Sequence, residues 1–264
     1  MRFCVLGSGS KGNCTFVESQ GAAILIDAGF SGIEIQRRLA SIGVNINSVQ
    51  AILITHEHGD HIKGVGVLSR KLKIPVFINA ATRTAAGKSL DNLYEIREFT
   101  TGTSFKFSHL DIHPFAISHD TADPVGFTIA NGRTAFGYCT DTGMVSKLIH
   151  HHLSRCHALV LECNHDLEML RNGHYPPALQ QRIRSKNGHL ANPDTINCLK
   201  KLINPNLRYV VLAHISESNN CPKLVQKQID TFVAGLELDA TSSATPPAIT
   251  LAHQDQAGKL IYLA

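Results

Sequence analysis

Three histidines and one aspartate lie within six residues, directly after an apolar segment of the chain. The segment 51–55 reads Ala-Ile-Leu-Ile-Thr, and it is followed by His56, His58, Asp60 and His61. Imidazole nitrogens and carboxylate oxygens are ligands for zinc, iron and manganese. Side chains two positions apart in extended backbone face the same way, so His56 and His58 can converge on one ion. Asp60 and His61 lie at the turn into the next element, where they can hold a second ion.

Four ligands do not complete two metal sites, and three more candidates occur later in the chain. Each lies at or just past a predicted strand, in the segments Ile-Ser-His-Asp, Tyr-Cys-Thr-Asp-Thr-Gly and Val-Val-Leu-Ala-His-Ile-Ser. A single histidine is more often a hydrogen-bonded structural residue than a ligand. The evidence for metal binding is therefore the complete set of residues and their order along the chain. The three candidates are His119, Asp141 and His214.

These side chains can meet only if a sheet brings the ends of several strands together. Hydrophobic periodicity and turn residues predict strands at 2–6, 14–18, 22–26, 49–55, 76–79, 133–139, 158–163 and 209–213, with alternating sheet-like sequence over 103–130. Helices are predicted at 31–42, 62–73, 144–153, 175–187, 193–203 and 222–234, and a link at 240–247 precedes a final hairpin at about 248–262. Strands come first and later alternate with helices, which predicts a layered α/β (α+β) domain with a mixed sheet core. No boundary splits the chain, so 1–264 is predicted to be a single domain.

Composition and charge narrow the class of protein. The chain has 264 residues, a formal net charge of +4 and seven scattered cysteines, none of them in a C-x-x-C pair. This pattern is typical of reduced thiols in a cytoplasmic protein. No apolar run approaches the roughly 18 residues that a membrane helix needs, so no membrane partner is expected. The oligomeric state stays open.

A glycine-rich segment near the N-terminus matches the pattern of a dinucleotide-binding loop. It reads Gly7-Ser-Gly-Ser-Lys-Gly12, but the mechanism of such a loop needs a helix that begins at the last glycine. The residues that follow read as a strand, and only about eight residues separate Gly12 from the next turn. We therefore predict no nucleotide cofactor and a tight hairpin beside an active site. Its Ser8, Ser10 and Lys11 could contact a phosphate.

The ordered set of ligands resembles that of the metallo-β-lactamase fold. In that fold an aspartate ends an early strand, and H-x-H-x-D-H, a later histidine, a bridging aspartate and a final histidine follow. The resemblance covers residues 2 to about 216 and implies a four-layer αββα sandwich that holds two divalent metal ions. By this resemblance, one ion takes His56, His58 and His119, the other takes Asp60, His61 and His214, Asp141 bridges them, and Asp27 supports the site from behind the ligands.

The chemistry that this resemblance implies is hydrolysis. Two ions roughly 3.5–4 Å apart can hold a bridging water and lower its pKa from 15.7 towards neutrality, which gives a hydroxide nucleophile. Zinc is the default for imidazole-rich sites, and manganese and iron also suit these ligands. The fold alone does not choose between phosphodiesters, thioesters and amides. A small-molecule esterase or thioesterase similar to glyoxalase II therefore stays an alternative, as does a metal-binding protein without turnover.

Two further residues resemble a proton-donating pair. In the phosphodiesterase branch of this fold, typified by the tRNA 3′-processing endonuclease, a glutamate and a histidine are thought to protonate the leaving oxygen. Glu162 and His189 match those positions. A structural carboxylate and a helix-start residue are the alternative interpretation. The sequence Glu-Cys-Asn-His-Asp departs from that endonuclease, and no long substrate-grasping insertion is evident, which counts against a pre-tRNA substrate. A ribonuclease stays an alternative.

Several segments are closer to a bacterial subfamily, the YycJ/WalJ-type proteins. The resemblance implies a nuclease that acts on DNA, with 5′-to-3′ exonuclease activity linked to DNA repair. The stretch from residue 171 to 193 adds modest support, because it contains basic residues, Arg182 and Arg184 among them, and no acidic residue. An ordinary solvated helix face is the alternative for this stretch. Asn164, His165 and His174 are further candidate substrate contacts. The matching segments are 7–13, 162–166, 173–176, 188–190 and 212–220.

Overall fold

The computed structural model describes residues 1–238 and 246–263. The strands in these ranges are β1 (Arg2–Gly7), β2 (Cys14–Ser19), β3 (Ala22–Ile26), β4 (Ala51–Leu53), β5 (Pro75–Asn79), β6 (Glu95–Phe99), β7 (Phe105–Phe107), β8 (Leu110–Ala116), β9 (Val125–Ala130), β10 (Ala135–Cys139), β11 (Ala158–Glu162), β12 (Tyr209–Ala213), β13 (Ala248–Leu251) and β14 (Ile261–Tyr262). The α-helices are α1 (Gly32–Ser41), α2 (Gly59–Ile62), α3 (Val65–Leu72), α4 (Ala80–Ala86), α5 (Lys147–Leu153), α6 (Leu167–Asn172), α7 (Pro177–Ile183), α8 (Asn192–Leu202) and α9 (Pro222–Leu238). None of the helices in these ranges has the length and apolar composition to cross a bilayer.

Two mixed sheets stack face to face, and helices cover the outer face of each. The first sheet has the order β14-β1-β2-β3-β4-β5-β6, and the second has the order β13-β12-β11-β10-β9-β8-β7. A buried cluster that includes Phe3, Phe127 and Phe136 fills the space between the sheets. Separate clusters pack the first sheet against α1 and α3, and the second against α5, α8 and α9. The predicted four-layer αββα sandwich is confirmed.

Parallel pairing at the centre of each sheet determines where the polar strand ends lie. In the first sheet β3 pairs in parallel with β4, and in the second sheet β10, β11 and β12 pair in parallel. The carboxyl ends of parallel strands share one edge, which is where open α/β sheets place their sites. Asp27 follows β3, Asp141 follows β10 and His214 follows β12, while Glu162 ends β11. Both sheets thus present their polar strand ends at an edge.

The predicted hairpin at 248–262 is wrong. Strand β13 pairs in parallel with β12 in the second sheet, whereas β14 pairs antiparallel with β1 in the first. The chain between them crosses from one sheet to the other, and Gly258 N–H donates to the carbonyl of Val5 on the way. Alternation of side chains identifies a strand but not its partner, so local sequence could not reveal this crossing.

Several helix boundaries also differ from the prediction. The helix predicted at 62–73 corresponds to α3, and only its first residue belongs to α2. Between the two helices the chain passes Phe30 so closely at Gly64 that a Cβ there would clash with the Phe30 carbonyl oxygen. The helix predicted at 175–187 covers only α7, and sequence reasoning missed α4, α6 and β6. The predicted link at 240–247 lies largely outside the described residues. The single domain over 1–264 therefore stays a prediction.

Candidate metal centre

One group of imidazoles forms where the loop after β4 meets the loop after β8. The candidate ligand atoms of His56, His58 and His119 all lie within 4.8 Å of one another. His119 Nε2 lies 3.3 Å from His58 Nδ1, and His119 Nδ1 donates to the Gly188 carbonyl at 3.2 Å. The carbonyl therefore orients the His119 ring so that its other nitrogen points at the group. The structure brings together the three side chains predicted for the first ion.

Asp141 lies between the two histidines predicted for the second ion. Its Oδ2 lies 3.5 Å from His61 Nε2, and its Oδ1 lies 3.4 Å from His214 Nδ1. Asp60 is close as well, with its Oδ2 3.6 Å from His61 Nε2. His214 also shares a group of candidate ligands with His189. The structure thus brings His61 and His214 to Asp141, and Asp60 to His61. His189, the histidine of the predicted proton-donating pair, lies within reach of the same group.

Unpartnered nitrogens in this cluster fit a metal ion. Among the described residues, His56 Nε2 and His214 Nε2 are buried and have no hydrogen-bond partner. An unsatisfied buried polar atom costs about 1–3 kcal/mol, so two in one site call for a bound species. Burial lowers the pKa of His56 and of His119, which favours the neutral imidazole that a cation needs. Two divalent cations, one at each histidine, would satisfy these nitrogens, so the donor set fits the metals that the sequence predicts.

A buried carboxylate behind the ligands holds His61 in place. Asp27 accepts hydrogen bonds from Thr55 N–H at 2.9 Å, from Thr55 Oγ1 at 2.8 Å and from His61 Nδ1 at 2.8 Å. Thr55 Oγ1 in turn lies 2.9 Å from His56 Nδ1, which donates to it because the hydroxyl proton points to Asp27. The anchored Nδ1 atoms leave both Nε2 atoms for the site. Asp27 lies where it was predicted, while Thr55 was missed although it directly precedes the histidine motif.

Opposite charges compensate inside the cluster. Burial alone would lower the pKa of His61, but the charges of Asp141 and Asp27 outweigh it and raise that pKa well above its usual value. Burial also opposes the charged form of His214, yet Asp141 and Glu162 raise its pKa to about 9. The protonated rings hold the pKa of Asp141 well below its usual range against burial. Cation binding here must therefore release protons.

Three site residues adopt the left-handed backbone conformation. Asp27, Asp141 and His214 have φ angles of 58°, 57° and 54°. Such angles are uncommon outside glycine, are tolerated best by asparagine, aspartate and histidine, and cost about 1–3 kcal/mol where the structure enforces them. Each follows a strand of the parallel core, so the chain turns sharply at the strand end and directs the side chain into the cluster.

The glycine-rich loop between β1 and β2 joins the two sides of the cluster. The Ser8 hydroxyl accepts from His214 N–H at 2.9 Å and donates to Asn13 Oδ1 at 2.8 Å. The Asn13 amide donates to Asp60 Oδ2 at 3.2 Å and lies 3.0 Å from His61 Nε2. Ser8 is buried, so its position does not favour the predicted phosphate contact. Asn13 was missed, although it closes the glycine motif.

We expect Asn13→Ala to weaken metal binding about 10- to 100-fold, which is the usual effect of removing a group that orients a ligand. The physical reason is that Asp60 loses the amide that fixes its carboxylate. Chelator competition with zinc measures this affinity directly. Ser10→Ala is the matched control, because Ser10 belongs to the same loop and its side chain lies at the cavity. Equal zinc affinity in Asn13→Ala and Ser10→Ala would contradict a positioning role.

Glu162 connects the predicted proton-donating histidine to the metal cluster. It is fully buried, and its Oε1 accepts from His189 Nδ1 and from His214 Nδ1, both at 2.8 Å. Its Oε2 accepts from the backbone N–H groups of Thr142 at 2.9 Å and Leu190 at 3.1 Å. Burial raises the pKa of Glu162, but His189 and His214 outweigh it and lower the pKa to about 2. The carboxylate thus fixes two histidines and two backbone N–H groups, and its role in proton transfer stays a prediction.

A cavity of about 270 Å³ opens onto the cluster. Of the predicted substrate contacts, Ser10, Asn164 and Arg182 lie at its wall. Asp120 and Tyr175 also line it and were missed. The remaining wall residues are His58, Asp60, His119, Asp141, Leu179, Ile183, Gly188, His189, His214 and Ser216.

The other predicted contacts lie away from this wall. Lys11 is exposed and forms an ion pair of 2.6 Å with Glu217. His174 and Arg184 are exposed, the latter because α7 ends at the residue before it. His165 is buried, and burial lowers its pKa to about 4. The structure therefore does not bring these four residues to the cavity.

Comparison with known proteins places the fold in a family. The family described as Beta-lactamase superfamily domain matches residues 22–215, a span that contains all the candidate ligands. The chain belongs to the β-lactamase superfamily. Its fold is the metallo-β-lactamase fold, since the crystal structure of the metallo-β-lactamase fold protein YhfI from Bacillus subtilis matches with a TM-score of 0.73, at 14% identity over 97% of this chain and 98% of that one.

Two members of the family are similar over most of their length. The chain is 37% identical over 231 residues to exodeoxyribonuclease YycJ of Bacillus anthracis, which covers 87% of this chain and 88% of that protein. It is 35% identical over 241 residues to exodeoxyribonuclease WalJ of Streptococcus pneumoniae, which covers 90% of each. The predicted resemblance to this subfamily is confirmed.

Proposed function

We propose that this protein is a metal-dependent 5′-to-3′ DNA exonuclease of the metallo-β-lactamase fold that acts with two divalent ions in DNA repair. The observation that carries the proposal is the cluster around Asp141, in which buried, unpartnered imidazole nitrogens meet a proton-donating pair at one cavity. The names of the two similar relatives, both exodeoxyribonucleases, favour DNA as the substrate.

Some residues of the site are assigned to bind the ions, and others orient those ligands. We assign one ion to His56, His58 and His119 and the other to Asp60, His61 and His214, with Asp141 shared between them. When bound, such ions supply an activated water and neutralise the charge that develops on the phosphodiester. Asp27 and Asn13 keep their ligands oriented from behind. Zinc suits the imidazole-rich set best, and manganese and iron are the alternatives that reconstitution must compare.

His189 is assigned to proton delivery to the leaving oxygen. Its Nδ1 donates to Glu162, so its Nε2 is the atom that can face a substrate. Its side chain keeps 21% of its surface exposed, whereas Glu162 is fully buried. A positioned general acid contributes about 10²–10⁴-fold to the rate, and the hydrogen bond to the carboxylate fixes the orientation of the ring that gives up the proton. The leaving oxygen is thereby released as an alcohol.

The reducing cytoplasm is the proposed place of action. All seven cysteines are free thiols, and six of them are buried. Burial raises the pKa of several of them, for instance that of Cys156 to about 12, which makes them poor nucleophiles and poor metal ligands. These thiols are therefore structural, which matches a protein that works where disulfides are rare.

Digestion of end-labelled nucleic acids by the metal-reconstituted protein tests the proposal. The substrates are single- and double-stranded DNA and RNA with the label at the 5′ or the 3′ end. We expect stepwise release of nucleotides from the 5′ end of DNA, and loss of the activity on adding a chelator. Preference for RNA would favour a ribonuclease. Activity on thioesters without activity on any nucleic acid would replace the proposal by a small-ester hydrolase.

A further inference from the structure

Part of the cavity wall is apolar, while another part carries the metal cluster. Tyr175, Leu179 and Ile183 lie on the apolar part, together with Arg182. Leu179 and Ile183 are four residues apart and lie on one side of α7, and Tyr175 lies in the turn directly before this helix. The Gln180 side chain donates to the Tyr175 carbonyl at 2.9 Å and so attaches this turn to the helix. A continuous apolar stripe therefore faces the reacting groups.

This stripe does not belong to the folded core. Helix α7 contains no fully buried residue, and none of the three hydrophobic clusters of the described chain includes Tyr175, Leu179 or Ile183. Apolar side chains that neither pack in the core nor scatter singly over the surface usually mark a binding site. Here the stripe shares a cavity with His189 and Asp141, so its ligand must be part of the same substrate.

The ring of Tyr175 and the charge of Arg182 indicate which chemical group of the substrate contacts the stripe. Tyr175 is half-buried and meets His174 edge to face, with ring centroids 4.8 Å apart. Arg182 is 60% exposed, and its guanidinium donates to Asp120, which also lines the cavity. A flat aromatic group beside an arginine is how proteins bind bases and their phosphates without reading sequence. A nucleotide satisfies both parts of the wall at once, with its phosphate at the cluster and its base on the stripe.

We propose that Tyr175, Leu179 and Ile183 form the subsite for the base of the nucleotide next to the hydrolysed phosphodiester, and that Arg182 binds an adjoining phosphate. The inference rests on the proposed function and extends it to a specific part of the substrate. The subsite accepts any of the four bases, because stacking uses the face of the ring and not its edge. Its role is to position the chain end, and it takes no part in bond cleavage.

The test removes the stacking partner from the protein and from the DNA in turn. The substrates are 5′-phosphorylated oligonucleotides, either intact or with an abasic residue at the first or the second position. We expect Tyr175→Ala to raise KM about 5- to 150-fold on intact DNA, as the loss of one base–aromatic contact predicts. Tyr175→Phe keeps the ring and is expected to stay within about twofold of the wild type. One of the two abasic oligonucleotides lacks the base that stacks on Tyr175. On that oligonucleotide, Tyr175→Ala should not raise KM above the value of the wild type.

Controls separate this result from damage to the fold or the metal centre. Tyr94→Ala is the matched control, because Tyr94 is 54% exposed and lies away from the cavity. Leu179→Ser is the second variant on the stripe, and it should show the same dependence on the base if Tyr175→Ala proves unstable. Zinc content and Tm of each variant are measured alongside KM.

The outcomes distinguish the subsite from the proposed function. An unchanged KM in Tyr175→Ala, or an equal loss on intact DNA and on both abasic DNAs, would overturn the subsite while leaving the nuclease in place. If the metal-loaded wild type cleaves no DNA, the proposed function fails and the subsite with it.

Discussion

Asp141→Asn is expected to reduce phosphodiester hydrolysis more than about 10³-fold, beyond the loss from removing a single stabilising donor at an active site. Asp141 lies 3.5 Å from His61 and 3.4 Å from His214, and we assign it to both ions. An amide has the same shape but cannot supply the negative charge that two cations share. Asparagine also tolerates the left-handed backbone that Asp141 adopts, so the fold should survive.

Metal analysis and a matched variant make this result specific. We expect Asp141→Asn to retain less zinc per chain than the wild type, as measured by mass spectrometry after gel filtration. Asp111→Asn is the control, because the Asp111 side chain is 55% exposed and forms an ion pair with Lys106, 3.5 Å away, far from the cluster in the fold. Full activity and a full complement of zinc in Asp141→Asn would contradict the shared-ligand assignment.

His189→Ala is expected to lower kcat about 10²–10⁴-fold, which is the usual contribution of a general acid, and to leave the zinc content unchanged. The reason is that His189 Nδ1 binds Glu162 at 2.8 Å and the ring faces the cavity, while each assigned ion has its own ligand set, although His189 lies within 4.8 Å of Asp141 and His214. With a substrate whose leaving group needs no proton, such as a nitrophenyl phosphodiester, the substitution should lower kcat much less. Single-turnover kinetics on both substrates measure the difference.

Glu162→Gln, compared with His189→Ala, separates the contact of the carboxylate with His189 from its contact with His214. Because Glu162 also accepts from His214 Nδ1 at 2.8 Å, its loss should lower both kcat and the affinity for zinc. Combined with His189→Ala, it should cost little more in kcat than the larger single effect, since residues that act as a unit are not additive. His151→Ala, at an exposed position of α5, is the control. Loss of zinc in His189→Ala itself would make that residue a ligand and would contradict its role as an acid.

The order of strands and polar strand ends made the site predictable. A run such as His56 to His61 after a buried strand has no ordinary structural explanation, and later histidines and aspartates at strand ends supply the rest of the set. Parallel strands bring their carboxyl ends to one edge, so positions far apart in sequence become neighbours. Asp27 and Asp141, though 114 residues apart by their numbers, thus serve the same cluster.

What sequence could not reveal was the hydrogen bonding behind the ligands. Asn13 reaches Asp60 across 47 residues, and Glu162 reaches His214 across 52. No local pattern encodes such pairs, because they depend on how loops from different strands meet. The same holds for Ser8, whose type suggests a phosphate contact while its hydroxyl serves the backbone of His214. Arg182 and Arg184 looked equivalent until the end of α7 placed only the first at the cavity.

The residues near α7 that line the cavity could also be identified only from the structure. Tyr175 and Asp120 belong to no ligand motif, and the subfamily match at 173–176 gave Tyr175 no role, yet both residues line the cavity. Tyr175 lies in the turn between α6 and α7, where sequence reasoning missed α6 and began its predicted helix at residue 175. Helix α7 has no buried residue, so its hydrophobic pattern could not place it against the core.

Titration of the metal-free protein with zinc or manganese, followed by hydrolysis of 5′-labelled DNA, tests the central claim most directly. Two equivalents of ion should bind per chain, and hydrolysis should appear as the second equivalent fills its site, because Asp141 serves both ions. The Asp141→Asn protein should show no such rise. Full hydrolysis in chelator, or full hydrolysis after the first equivalent alone, would contradict a two-ion nuclease built on this cluster.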